Sequence, residues 1–203
     1  MVRVLKLPQW FVGLLFAVTL WYFTFATFRE NFWLTFLFSS AVLALYGVVM
    51  GGDRRLRMSR YEAAIAFWVA VALYVFFFVF NFIFSLFETP REWIEQIYDS
   101  GGGVPWYYLT VILVLVAIFE EFFWRGYILR ALADRMNPLP ALILGSLLYA
   151  LVHVIAGNPL LIVAAFIAGA VFGLLYLVTK SLLATIFCHA LFTVAAFVVM
   201  PFR

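Results

Sequence analysis

The sequence predicts an all-α membrane protein, a polytopic bundle of about seven transmembrane helices. Three observations carry this prediction: composition, mean hydropathy and the spacing of the apolar runs. Hydrophobic residues make up 67% of the 203 residues, charged residues only 11%, and the mean hydropathy is +1.11. Soluble domains carry about 25% charged residues and could not hide so much apolar surface. The composition therefore excludes a soluble enzyme, a nucleic-acid-binding domain and a disordered regulator.

Seven apolar runs are each long enough to cross a bilayer, which takes about 20 helical residues. No polar stretch between them is long enough for a soluble domain, so we expect residues 1–203 to form a single membrane domain. The runs are Trp10–Phe28, Phe32–Met50, Tyr61–Phe87, Val104–Ile128, Leu139–Ile155, Pro159–Val178 and Leu182–Met200.

The first run follows Arg3 and Lys6, as the apolar part of a signal peptide would. It is too long for a signal peptide, and no small-residue cleavage site follows it, so we expect an uncleaved first helix. The third run is longer than a bilayer requires, which predicts a tilted helix or a helix that ends at the membrane surface.

The segment between the third and fourth runs, residues 88–103, is acidic and ends in Gly101–Gly103. Its apolar residues fit one stripe of a helix: Trp93, Ile94, Ile97 and Tyr98. This pattern predicts a short amphipathic helix at the membrane surface followed by a flexible hinge. An acidic outer loop is the alternative.

The basic residues indicate the orientation, because cytoplasmic loops are enriched in Lys and Arg. If the N-terminus is cytoplasmic, ten of the 13 basic residues lie inside, and the C-terminus lies outside. These ten are Arg3, Lys6, Arg54, Arg55, Arg57, Arg60, Arg125, Arg130, Arg135 and Lys180.

Ionisable residues inside the spans are few, and such residues usually face a protein interior or a cavity and serve a function. The fourth run contains Glu120, Glu121 and Arg125, the fifth contains His153 and the seventh contains His189. These are the only two histidines in the chain. Two histidines and a carboxylate pair on three helices therefore indicate a site.

The two glutamates differ in their local partners. Glu121 and Arg125 are four residues apart, with the acid first, which favours an ion pair on one helix face. Glu120 points about 100° away and has no partner in its own turn, so it is left for chemistry. The alternative is that both glutamates lie near the inner interface and are neutralised by Arg125 and Arg130.

Each histidine has a polar neighbour one helical turn away. Tyr149 precedes His153, so its ring can flank the imidazole and its hydroxyl can bond to it. Thr193 follows His189. Cys188 is the only cysteine, which excludes a disulfide framework, and we expect it to be a packing residue.

One glutamate and two histidines are compatible with three chemistries. In hydrolases such residues ligate a divalent metal such as zinc, and in this chain the ligands would be Glu120, His153 and His189. They also activate water without a metal, with the glutamate as general base. Two histidines also ligate haem. The spacing does not choose between these, and the H-E-x-x-H zinc motif is absent.

Four ordered motifs resemble the CPBP or abortive-infection family of intramembrane peptidases, which includes type II CAAX-processing and bacteriocin-processing enzymes. Over residues 104–200, the proposed peptidase core, the motifs occur in the order and on the helices typical of the family. They are E-E-x-x-x-R at Glu120–Arg125, an aromatic-x-x-x-H at Tyr149–His153, a glycine-spaced sixth helix with Gly169 and Gly173, and H-x-x-x-T at His189–Thr193.

The resemblance implies roles for these residues. Glu120 with His153 would activate the attacking water, and His189 with Thr193 would stabilise the oxyanion. Glu121 and Arg125 would hold the shape of the site. Thr193 replaces the usual Asn of the family and has a shorter reach. The resemblance implies no cofactor, with zinc as the alternative.

The resemblance implies an intramembrane endopeptidase that cleaves a membrane-associated protein or peptide near its C-terminus or membrane segment. Its partners would be that substrate and the lipid bilayer, with no nucleic acid, and its location a bacterial inner membrane. Two alternatives are a non-catalytic membrane scaffold or immunity protein of the same fold, and a bis-histidine haem protein.

Overall fold

The computed structural model describes residues 8–99 and 104–202. Within these residues all regular structure is helical, and seven helices are long and apolar enough to cross a membrane. In chain order the helices are α1 (Gln9–Thr27), α2 (Arg29–Val49), α3 (Arg60–Phe84), the short α4 (Glu88–Asp99), α5 (Trp106–Ala133), α6 (Pro138–Ala156), α7 (Pro159–Thr179) and α8 (Leu182–Val199). The predicted all-α bundle with seven spans is confirmed.

The helix boundaries follow local capping chemistry. At the start of α3, Ser59 accepts a hydrogen bond from the amide of Glu62, and the Glu62 carboxylate accepts one from the amide of Ser59. This reciprocal pair satisfies two amides that a helix start leaves free. Asn158 and Ser181 cap α7 and α8 with side-chain oxygens that each accept a hydrogen bond from an amide of the first helical turn.

Helix α5 lies at the centre of the bundle. It packs against α2 and α8, while α7 packs against α6, and α3 packs against α8. The spans α5 and α8 are the most buried of the seven. Charged and polar side chains on these two helices can therefore face the interior of the bundle. Ionisable groups in membrane spans are tolerated there, because they are kept away from lipid.

The spans α5 and α6 depart from α-helical geometry at residues of the predicted site. The turn Trp124–Leu129 of α5, which contains Arg125, is π-helical, and α6 ends in a tighter 3₁₀ turn over Val152–Ala156. Gly157 then takes a left-handed conformation with φ of 68°, which glycine adopts without a steric penalty. His153 therefore lies in the last turn of α6.

The acidic segment forms the amphipathic helix α4 rather than a loop. Its Glu92, Glu95 and Asp99 are exposed, whereas Ile94 and Ile97 are half-buried. The hydroxyl of Tyr98 donates to the carbonyl of Ala196 at 2.9 Å, and Asn158 Nδ2 donates to the carbonyl of Trp93 at 2.7 Å. These bonds hold α4 against α7 and α8. The expected hinge at Gly101–Gly103 and the basic residues Arg3 and Lys6 lie outside the described residues.

The loop between α2 and α3 is held by Asp53, which is 3% exposed. Its carboxylate accepts a hydrogen bond from the Tyr176 hydroxyl at 2.9 Å, and its amide donates to the carbonyl of Gly126 at 2.8 Å. Burial raises the pKa of the Asp53 carboxyl, but hydrogen bonds from Arg55 and Tyr176 outweigh burial and lower that pKa below its ordinary value. The loop is thereby fixed to α5 and α7.

Candidate active site

A cavity of about 230 Å³ lies between the helices at one end of the bundle. Its wall is mainly aromatic, with side chains from α1, α2, α3, α7 and α8. Five of the seven residues singled out from the sequence line it: Glu120, Tyr149, His153, His189 and Thr193. The other two, Glu121 and Arg125, are buried but do not line the cavity. The fold thus brings residues from α5, α6 and α8 to one cavity.

Glu121 is fully buried and its Oε1 is shared by two partners. Arg125 Nη1 donates to this oxygen at 2.8 Å, and His189 Nδ1 lies 2.8 Å from it. Arg125 Nη2 also donates to the carbonyl of Gly169 at 3.3 Å. Glu121 therefore fixes the ring of His189, and Arg125 holds α5 against α7.

Arg125 was counted above among the cytoplasmic loop charges, and this assignment is wrong. Its side chain is 2% exposed and lies within the bundle, because its guanidinium bonds to the buried Glu121 and to the carbonyl of Gly169 on α7. Arg130 and Arg135, beyond the buried part of α5, are exposed and remain loop charges.

Glu120 has a different environment from its neighbour. The hydroxyl of Tyr149 donates to Glu120 Oε2 at 3.0 Å, and His189 Nε2 lies 3.9 Å from the same oxygen. Glu120 Oε1 is buried and has no hydrogen-bond partner in the described part of the chain. Since an unpaired buried carboxylate oxygen is costly, this atom is suited to accept a hydrogen bond from a water molecule.

The ring of His153 is held by partners at both nitrogens. Nδ1 lies 2.8 Å from the carbonyl of Tyr149, and the indole Nε1 of Trp21 donates to Nε2 at 3.4 Å. A carbonyl only accepts, so the proton is assigned to Nδ1, and Nε2 carries the lone pair that accepts from Trp21. The partners of the His153 ring are thus Trp21 and Tyr149, and not Glu120.

Tyr149 differs from the expectation in one respect. Its ring does flank His153, with the ring centroids 5.1 Å apart at a steep angle. The hydroxyl, however, reaches Glu120, and it is the backbone carbonyl that contacts the imidazole. The backbone carbonyl of Tyr149 points along the helix towards the residue four positions later, which is His153. The imidazole bonds to this carbonyl, so the Tyr149 hydroxyl is free to bond to Glu120 on α5.

Trp21 is a residue that the sequence did not single out. It lies on α1, is 0% exposed, and packs edge-on against His153 and Trp124. Aromatic residues are frequent in every span of this chain, so its spacing gives no local signal. Only the fold brings it next to a histidine 132 positions away.

Replacing Trp21 with Phe should free His153 Nε2 while keeping an aromatic ring in the core. A hydrogen bond contributes about 0.5–1.5 kcal/mol, so we expect a loss of turnover of up to about tenfold. Imidazole ¹⁵N NMR measures the change directly, because the chain has two histidines. The His153 Nε2 signal should move, and the His189 signals serve as the internal control. Unchanged His153 signals would contradict this positioning role.

Thr193 lines the cavity, but its hydroxyl is already bonded to its own helix. Oγ1 donates to the carbonyl of His189 at 3.0 Å and lies 3.3 Å from that of Ala190. Threonines in membrane helices often bond back to the preceding turn in this way. The structure therefore does not show the hydroxyl turned towards the cavity as an oxyanion donor.

Changing Thr193 to Val should accordingly be almost silent in turnover, substrate binding and folded yield. The relevant measurement is a single-turnover cleavage assay, with Thr193→Asn compared in parallel. Because Asn is the usual residue of the resembled family and has a longer reach, that variant should retain or raise activity. A loss of about 10²–10³ in Thr193→Val would instead identify its hydroxyl as an oxyanion donor.

The placement of the two histidines bears on metal and haem ligation. Among residues 8–99 and 104–202, no three His, Cys, Asp or Glu side chains are grouped as a metal site. Both nitrogens of His153 have partners and Nδ1 of His189 bonds to Glu121, which leaves His189 Nε2, 3.9 Å from Glu120 Oε2, without a hydrogen bond. The three-ligand zinc site and a bis-histidine haem each need a free nitrogen on both histidines, so this placement fits neither.

Gly169 allows α7 to approach the site closely. A Cβ at this position would lie 3.0 Å from Tyr149 Cδ1 and 3.4 Å from the backbone of Ser146. A larger residue would displace the tyrosine ring that bonds to Glu120. The small residues of α7 thus act through packing, as their spacing predicts.

One comparison with known proteins covers the segment that carries the site. The model of the family described as type II CAAX prenyl endopeptidase Rce1-like matches residues 102–195. This segment contains all seven residues singled out from the sequence. No curated protein matches the chain. Over residues 102–195 the chain is thus similar to the Rce1-like type II CAAX prenyl endopeptidases, a family of membrane proteases.

Proposed function

We propose that the chain hydrolyses a peptide bond in a membrane-associated protein or peptide, near its C-terminus or membrane segment, with a water molecule activated by Glu120. One observation carries this proposal. Each of the two adjacent carboxylates has one oxygen without a described partner, but only Glu120 lines the cavity, whereas Glu121 lies behind it and bonds to Arg125 and His189 through Oε1. A general base must have a free lone pair that a water molecule in the site can reach.

The proposed reaction uses Glu120 as base and then as acid. A water molecule donates a hydrogen bond to Glu120 Oε1, and its oxygen attacks the scissile carbonyl as the proton passes to the carboxylate. The tetrahedral intermediate then collapses, the carbon–nitrogen bond breaks, and Glu120 returns the proton to the leaving amine. The Tyr149 hydroxyl, 3.0 Å from Oε2, keeps the carboxylate oriented during both transfers.

His189 is the proposed donor to the oxyanion. Its Nδ1 lies 2.8 Å from Glu121 and donates there, so donation from Nε2 requires the doubly protonated ring. Two carboxylates flank the ring, Glu121 at 2.8 Å from Nδ1 and Glu120 at 3.9 Å from Nε2. The predicted role of His153 as a partner of Glu120 remains a proposal, and Trp21 and Tyr149 support only its position.

The cavity wall indicates the kind of peptide that fits. Most of the wall is apolar and aromatic, and polar groups are few, as in sites that take an apolar segment in one orientation. We propose that the substrate is a membrane protein or peptide whose scissile bond lies beside apolar residues. The whole chain, residues 1–203, would act as one membrane domain with residues 104–200 as its peptidase core, in a bacterial inner membrane with the N-terminus cytoplasmic.

The test compares the membrane proteome of a host that expresses the wild-type chain with hosts that express Glu120→Gln or Glu95→Gln. Glu95 is an exposed carboxylate on α4 and provides the matched control. New protein termini should be present with the wild type and Glu95→Gln and absent with Glu120→Gln. Uncleaved substrate should also copurify with Glu120→Gln. Identical termini in all three hosts would instead support the non-catalytic scaffold.

Chelation tests the metal-free mechanism. Both nitrogens of His153 and Nδ1 of His189 are engaged by protein groups. We therefore expect a chelator to leave cleavage by the purified protein largely intact. Elemental analysis of the same active sample is the accompanying measurement. Stoichiometric zinc, with activity lost on chelation and restored by zinc, would overturn the metal-free mechanism.

A further inference from the structure

The cavity lies towards one end of the bundle, and most of the residues that line it are at that end. The wall uses the final turns of α1 and α3, the first turns of α2 and α7, and the end of α6. Its deepest residues, Glu120 of α5, Phe172 of α7 and His189 of α8, lie at or just beyond the middle of their helices, and the other lining residues of these helices lie between them and the same end. Ile94 and Ile97 of α4 complete the wall at the same end.

The described loop cations are concentrated at the opposite end. Seven exposed basic residues lie there, all within the loops or helix ends between α2 and α3, α5 and α6, and α7 and α8: Arg54, Arg55, Arg57, Arg60, Arg130, Arg135 and Lys180. The cavity end has two in the described part of the chain, Arg29 and Arg91. Short loops rich in Lys and Arg stay on the cytoplasmic side of a membrane.

We infer that the active-site cavity opens on the extracytoplasmic side of the membrane. This inference rests on the proposed function for the identity of the active site, and on the charge distribution for its side. It also restricts the substrate class. The scissile bond must be presented from the outer half of the bilayer, by a membrane protein or peptide whose cleaved segment has already been translocated.

Helix α4 supports this placement independently of the loop cations. Its exposed face is acidic and includes Glu92, Glu95 and Asp99, while Ile94 and Ile97 face the cavity. The cytoplasmic leaflet carries a negative surface potential that attracts basic segments and repels acidic ones. A surface helix with this composition is therefore more stable on the outer side.

Single-cysteine labelling tests the side of the cavity. The native Cys188 is 0% exposed, so the parent chain gives the unlabelled baseline. A charged, membrane-impermeant maleimide is applied to spheroplasts that express Glu95→Cys on α4, Ala164→Cys in the cavity wall, or Asp134→Cys at the opposite end. Each sample is divided, and one half is permeabilised with detergent before labelling.

Glu95→Cys and Ala164→Cys should label equally before and after permeabilisation, and Asp134→Cys should label only afterwards. The reverse pattern would place the cavity on the cytoplasmic side, and labelling of all three in intact spheroplasts would show a mixed orientation; either overturns the inference. Labelling does not require cleavage. A chain that labels as expected but cleaves nothing would overturn the proposed function alone, and an active chain with the reverse pattern would overturn this inference alone.

Discussion

Cleavage should be abolished in Glu120→Gln, while expression and thermal stability stay close to those of the wild type. Glutamine has nearly the shape of glutamate and its amide oxygen still accepts the hydrogen bond from Tyr149, but it cannot take a proton from water. Loss of a general base lowers a rate by about 10²–10⁴. The measurement is the single-turnover rate on a substrate captured from the host, with thermal unfolding in the same detergent.

The matched control for Glu120 is again Glu95→Gln, which removes a carboxylate from the exposed face of α4 and should leave the rate unchanged. Full turnover in Glu120→Gln would remove this residue from the mechanism. A lowered unfolding temperature would show that the variant is inactive because it fails to fold. We do not expect this result, because Glu120 Oε1 makes no hydrogen bond that the change would remove.

Arg125→Leu should lower folded yield as well as activity. The change leaves the fully buried Glu121 carboxylate without its guanidinium partner at 2.8 Å. Removing one partner of a buried ion pair costs roughly 3–5 kcal/mol. It also removes the hydrogen bond to the carbonyl of Gly169, so the contact between α5 and α7 weakens as well. Thermal unfolding and yield after detergent extraction measure the effect.

Two further variants separate the loss of charge pairing from the loss of packing. Arg130→Leu removes an exposed cation from the same helix and should fold normally. The double variant Glu121→Gln with Arg125→Leu removes both charges and should recover part of the yield. It should not recover activity, since His189 loses the carboxylate that holds its Nδ1. Normal folding of Arg125→Leu, or of Glu121→Gln alone, would contradict the structural role assigned to this pair.

Local rules explain the features that the sequence could predict. The seven spans follow from the length of the apolar runs, and the ion pair of Glu121 and Arg125 follows from their spacing of four on one helix. The bond from Thr193 to the carbonyl of His189 is equally local, because it spans one helical turn.

Contacts between distant helices could not be predicted in the same way. The donation from Trp21 to His153, and the hydroxyl of Tyr149 on Glu120, depend on how α1, α5 and α6 pack. Asp53 stands out in the sequence as a single acid that precedes two arginines in a basic loop. Its hydrogen bond from Tyr176, however, can be seen only in the folded structure. The burial of Arg125 likewise depends on packing, since its second partner is the carbonyl of Gly169 on α7.

The ion pair within α5 also has a consequence for biogenesis. During synthesis α5 leaves the ribosome before α6 and α8, so Tyr149 and His189 do not yet exist when Glu120 and Glu121 must enter the bilayer. A charged residue at the centre of an inserting helix costs about 2.5–3.5 kcal/mol on translocon scales. Arg125 offsets part of that cost for Glu121 from within the same helix. Helix α5 thus carries a counter-charge that allows its insertion before the helices that complete the catalytic site have been made.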